Sequence, residues 1–89
     1  MKNMRIWKEV LTPETHQALS LPAGAKLLDV QMQGDNCCLW FLCNVSARVE
    51  LRRIAIYETG SSLPDDPGEY IATFQSGDYV FHVFEAGDE

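Results

Sequence analysis

The sequence predicts an all-β protein, a small antiparallel sandwich or barrel of six or seven strands in one domain spanning residues 1–89. Two observations predict it. Apolar residues recur at period two in short segments, and glycine- or proline-bearing turn signals separate those segments at close intervals. A third is negative: no window carries three turns of capped helical periodicity.

Each element follows from its residues. Arg5 to Leu11 sets Ile6, Trp7, Val10 and Leu11 in an extended run that stops at Thr12-Pro13-Glu14, where proline removes a ladder donor. Thr15 to Leu21 reads as a short extended segment or a single turn, ended by Pro22-Ala23-Gly24. Lys26 to Gln33 alternates, with Leu28, Val30 and Met32 on one side, as a half-buried strand does. Gly34-Asp35 then turns the chain into Asn36 to Val45, completing a hairpin. That second arm is apolar on both faces, which places it centrally or against another subunit.

In Val49 to Glu58 the apolar parity changes at Arg52-Arg53, and a bulge there is expected to return Val49, Leu51, Ile54 and Ile56 to one face. A ten-residue connection, Thr59 to Gly68, follows. Glu69 to Gln75 and Asp78 to Glu85 form a closing hairpin across Ser76-Gly77.

Composition bounds the function. With 46% hydrophobic and 22% charged residues, the 89-residue chain is globular rather than disordered. A formal charge of −6 opposes general attraction to DNA or RNA, so direct nucleic-acid binding is not expected. No apolar run reaches a membrane span, and the first ten residues lack a secretory layout, so a cytoplasmic location and no membrane contact are expected.

Cys37, Cys38 and Cys43 lie within seven residues but miss the C-x-x-C spacing of zinc and redox sites. On a strand, Cys38 and Cys43 stand about 16 Å apart, and adjacent Cys37 and Cys38 have Cα atoms about 3.8 Å apart, shorter than a disulfide prefers. They read as buried structural thiols of a reducing compartment.

Ile6-Trp7-Lys8, Leu21-Pro22-Ala23-Gly24-Ala25, Val30-Gln31, Cys38-Leu39-Trp40, Thr59-Gly60, Tyr70-Ile71-Ala72-Thr73-Phe74 and Val80-Phe81-His82-Val83-Phe84 together carry a resemblance. Over nearly the whole chain, the sequence resembles a family of small phage and prophage proteins known only as a domain of unknown function. The resemblance implies a phage or prophage origin and brings no activity, substrate or catalytic residue with it. Where relatives often continue Thr-Gly with His, this chain has Ser61.

Few residues offer chemistry. His16 and His82 are the only histidines, and His82 shares a strand face with Val80 and Phe84, as a part-buried core histidine would. It lacks the second histidine and the acid of a metal-binding sandwich, so no metal is expected. Ser61 and Ser62 have no nucleophile frame, and no phosphate-cradling glycine motif is present. The chain is therefore expected to be no enzyme and to need no cofactor.

Arg48, Arg52 and Arg53 form the one basic cluster, suited to a phosphate, a carboxylate or an acidic protein patch. A solvated strand edge guarded against aggregation explains them equally. Asp65, Asp66 and Glu69 in the long connection, with Glu85, Asp88 and Glu89, serve solubility or imitate the phosphates of a nucleic acid.

Binding is the expected function, on a surface formed by Thr59 to Gly68 with Arg52-Arg53, and including Thr59, Asp65 and Asp66. The expected partner is a host protein or complex, of which an immune effector such as a CRISPR complex is one form. One alternative is a sponge for a small nucleotide signal, held by Arg48, Arg52 or Arg53 and stacked on Trp40 or Tyr57. Another is a virion or replication accessory subunit. Two strands with two apolar faces also predict a homodimer.

Overall fold

Period-two alternation resolves into seven strands in the computed structural model, which describes residues 2–87. They are β1 (Met4–Val10), β2 (His16–Pro22), β3 (Lys26–Gln33), β4 (Asn36–Asn44), β5 (Val49–Glu58), β6 (Glu69–Ser76) and β7 (Tyr79–Glu85). All pairings are antiparallel, in a three-stranded sheet of order β1-β4-β3 and a four-stranded sheet of order β2-β5-β7-β6. The expected all-β sandwich is what forms, and no helix occurs among the described residues.

The sheets meet along β3 and β6, where the Gln31 side chain donates to the Thr73 carbonyl at 3.4 Å. One core lies between them. Leu39, Phe41 and Cys43 of β4 and Val30 of β3 face Leu21, Ile54, Ala72, Phe74 and Val83 of the other sheet. At about 25 cal/mol per Å² of apolar surface removed from water, this shared core is the main stabilising term. β4 and β7, each apolar on both sides, occupy inner positions in their sheets.

Turns follow their residues. Gly34 opens the β3–β4 turn at φ +61° and Gly77 opens the β6–β7 turn at +59°, each followed by an aspartate of ordinary φ. That is the type II′ pattern, which matches strand twist and calls for glycine at its first central position. Pro22 ends β2 on the open edge of its sheet. The paired residues of β2 are the odd ones, since Ile56 N–H binds the Thr15 carbonyl and Ala23 N–H the Arg48 carbonyl, so the hydrogen Pro22 lacks would have pointed to solvent.

Two sequence expectations require correction. The bulge expected at Arg52-Arg53 is absent: Val49 to Ala55 pairs with β2 in unbroken register. Arg52, Ile54 and Ile56 share the core-facing parity, and Val49 and Leu51 lie on the outer face, exposed at 64% and 62%. The register breaks fall instead between Leu27 and Asp29 in β3 and between Tyr70 and Ala72 in β6. His82 is not a core residue either. Val83 takes the core-facing position, and His82 stands half-buried on the outer face of the four-stranded sheet.

Candidate functional site

The β5–β6 connection is long because of topology. Glu58 pairs with Phe81 and Glu69 with Glu85, so the chain must return along the length of β7 before β6 can begin. At its end Gly68, at φ +102°, packs so closely on β7 that an added Cβ would stand 2.1 Å from the Glu85 carbonyl oxygen. Only glycine fits there. The connection's start is held to β7 as well, since Thr59 N–H binds the Val80 carbonyl at 3.0 Å.

His82 is the centre of a hydroxyl chain across that sheet. Its Nε2 lies 2.7 Å from Thr59 Oγ1 and its Nδ1 3.0 Å from Thr73 Oγ1, and Tyr70 OH lies 2.7 Å from Thr73 Oγ1. Thr59 Oγ1 donates to the Val80 carbonyl at 3.3 Å, so the consistent assignment has His82 Nε2–H donating to Thr59 and Nδ1 accepting from Thr73. Tyr70 then donates to Thr73. Both ring nitrogens are used internally, which makes the chain a clamp between the loop, β7 and β6.

Of the arginines, the structure separates what the sequence grouped. Arg52 points into the end of the sandwich: Nε and Nη2 fork onto the Glu85 carboxylate, Nη1 donates to the Ala25 carbonyl at 2.8 Å, and Glu50 lies 3.5 Å away. The hydrogen bond to Glu85 raises its pKa above the ordinary arginine value, against the opposing effect of burial. Arg53, one residue on, projects from the opposite face and is exposed. Arg48 is exposed in the β4–β5 turn, its carbonyl taken by Ala23 N–H.

Thr59, Asp65 and Asp66 are exposed along the connection, with Asp66 accepting from Gly68 N–H at 3.1 Å. The loop's end and Arg53 do adjoin, because Gly68 touches Glu85 and Ala86, and Ala86 N–H binds the Arg53 carbonyl at 2.9 Å. Asp88 and Glu89 lie outside the described residues.

Arg53 stands between two shallow clefts. One of about 280 Å³ runs past Leu51, Arg52, Glu85 and Ala86, and one of about 380 Å³ past His16, Ala18, Ile54 and Ala86. On the same outer face, one row further along the strands, Tyr70 (55% exposed) packs edge-on against Phe84, with ring centroids 5.7 Å apart. The outer face therefore offers Val49, Leu51, Arg53 and Tyr70 from a rigid ladder. Sequence reasoning missed Val49, Leu51 and Tyr70, since only the register tells that they face away from the core.

Two further clefts open at the other end of the sandwich. One of about 320 Å³ is walled by Leu11, Met32, Cys37, Ile56, Phe74 and Phe81. Its neighbour, about 570 Å³, brings His16 to the same cleft as Ser61 and Ser62, residues the sequence left apart. The three cysteines are free thiols, Cys38 and Cys43 buried. Among the described residues no three His, Cys, Asp or Glu side chains are placed to hold a metal ion. No curated protein and no solved structure matches the chain. A family model described as a domain of unknown function, DUF7352, matches residues 2–89, and the chain belongs to that family.

Proposed function

We propose that this chain is a non-enzymatic binding protein that engages a protein partner through the outer face of its four-stranded sheet, around Leu51, Arg53 and Tyr70. The observation that carries the reading is the exposure of Val49 and Leu51, 64% and 62%, on the face that also presents Arg53 and Tyr70. Aliphatic surface held in a fixed ladder gains by being removed from water. Tyrosine and arginine are the side chains that most often dominate interface energetics. The end of the loop from Thr59 to Gly68, where Asp66 accepts from Gly68 N–H, adjoins Arg53 through Ala86 and brings acidic charge beside this face.

The finer reading, a phage-encoded inhibitor of a host immune effector, is supported by the resemblance to small phage proteins and by the size of the chain. The nucleotide sponge draws less support: Arg52 is committed to Glu85, Arg53 and Trp40 belong to different sheets, and Tyr57, which shares the Arg53 face, is buried.

The test is affinity purification of the tagged chain from a bacterial host, followed by binding of the recovered partner with purified components. Leu51→Asp and Arg53→Glu should each weaken binding at least about tenfold, the scale of an interface residue worth more than 1 kcal/mol, while leaving the melting temperature near wild type. Wild-type affinity in both variants would place the surface elsewhere. Calorimetry with cyclic dinucleotides and ADP-ribose is the parallel arm, and micromolar binding there selects the sponge.

A further inference from the structure

We propose that β1 pairs with β1 of a second copy across a two-fold axis, in the register that places Trp7 on the axis. This surface lies on the other sheet from the partner-binding face, so the two proposals stand or fall separately.

β1 is the outer strand of the three-stranded sheet, and its far edge has no strand beside it among the described residues. It is straight and complete: Met4 to Val10 pairs with β4 without a register break and contains no proline. Four of its apolar side chains are exposed, Met4 and Val10 among them, with Ile6 at 62% and Trp7 at 47%. Natural edges of this length are blunted by proline, bulges or charge; this one has neither proline nor bulge, and its charges are of both signs, Arg5 and Lys8 against Glu9.

The hydrogen-bonding parity of the edge is fixed by its ends. Leu11 N–H binds the Cys37 carbonyl and Val45 N–H binds the Asn3 carbonyl, so the odd residues of β1 face β4. The N–H and C=O groups of Met4, Ile6, Lys8 and Val10 therefore point to the open side. Arg5 Nη1 donates to the Met4 carbonyl at 2.9 Å, a stopgap at an acceptor no strand satisfies.

A two-fold antiparallel pair must set even residues against even residues. With Trp7 on the axis, Met4 meets Val10 and Ile6 meets Lys8 of the other copy, using every outward group in about eight backbone hydrogen bonds, two per bonded pair. The same register sets Arg5 opposite Glu9 on both sides of the axis and Trp7 against Trp7. Shifting the axis to Ile6 loses both charge pairs. Shifting it to Lys8 sets like charges against each other, which is destabilising. Charge complementarity thus picks one register and one occupant, a copy of this chain. The product is a continuous six-stranded sheet.

Trp7→Cys tests the axis. Facing residues of a non-bonded antiparallel pair have Cα atoms about 4.5 Å apart, within the disulfide range, so mild oxidation should give a covalent dimer in high yield. Glu9→Cys, which faces Arg5, should not crosslink to itself, and the wild-type chain controls for Cys37. Light scattering should report about twice the 10.0 kDa chain mass at tens of micromolar. Lys8→Pro should give a folded monomer, since the hydrogen it removes belongs to the open edge. Arg5→Glu or Glu9→Arg should each dissociate the dimer and the double exchange restore it. A wild-type monomer, or Glu9→Cys crosslinking as fast as Trp7→Cys, would overturn the proposal, and failure of the double exchange to rescue would overturn the register.

Discussion

Cys37 stands half-buried on the wall of the cleft lined by Leu11, Met32 and Phe74, and its thiol is pushed up to about 11 by burial and, second, by the neighbouring Cys38. The thiolate is the reactive form, and at neutral pH its fraction is roughly a hundredfold below that of an ordinary thiol. Iodoacetamide at pH 7.5 is therefore expected to modify the folded chain far more slowly than the urea-unfolded chain, read by mass spectrometry. Comparable rates would mean that the thiol is not shielded. The linkage has a definite sign: the folded state holds this proton more tightly than the unfolded state. The contribution of this thiol to stability is accordingly at its full value below pH 9 and declines as pH rises toward 11. Cys37→Ser should remove that part of the alkaline decline. Spacing along the strand argued in the sequence against a disulfide among the cysteines, and all three are free thiols. The clamp of Thr59, Thr73 and Tyr70 on His82 was not legible, because its members lie on different elements and meet only once register is set.

At the scale of elements, β5 shows how much a sequence discloses and where it stops. Its existence and extent were legible from Val49 to Glu58, but the change of apolar parity at Arg52 suggested a bulge where the strand is regular. The misleading signal was the assumption that Val49 and Leu51 belong to the core. They are apolar and exposed, and a single sequence does not tell an outward valine from an inward one. The real irregularities, at Leu28 and Ile71, lie in strands for which the residues suggested none. β7 pairs with β5 only from Ile54 onward, which leaves the first half of β5 with β2 as its one strand neighbour. Arg52 compensates by tying that half to Glu85 of β7 and to the Ala25 carbonyl beside β3. Arg52→Met should leave the Glu85 carboxylate and the carbonyl without their donor and lower stability by about 1–3 kcal/mol. Arg53→Met, one residue along on the solvent side, should change it by less than about 0.5 kcal/mol. Equal effects in urea melts would refute the division of labour between the two arginines.

The whole molecule has one core and two sheets, and that arrangement predicts how it unfolds. Leu39 and Phe41 of one sheet and Ile54 and Val83 of the other are buried against each other, so neither sheet has a separate interior to retain when the other opens. A chain this short buries only about 60% of the surface it exposes when unfolded, so half the core would not hold a sheet together alone. Both tryptophans, Trp7 and Trp40, lie in the three-stranded sheet, which makes their fluorescence a reporter of that sheet. Ile54→Ala removes core volume from the four-stranded sheet and should cost about 2–5 kcal/mol, as should Leu39→Ala in the three-stranded sheet. If unfolding is one cooperative event, the Ile54→Ala midpoint in urea shifts equally by tryptophan fluorescence and by far-ultraviolet circular dichroism, at fixed protein concentration because pairing of copies contributes to apparent stability. If the fluorescence midpoint stays at its wild-type value while the dichroism midpoint falls, the sheets unfold independently and the shared core does not couple them.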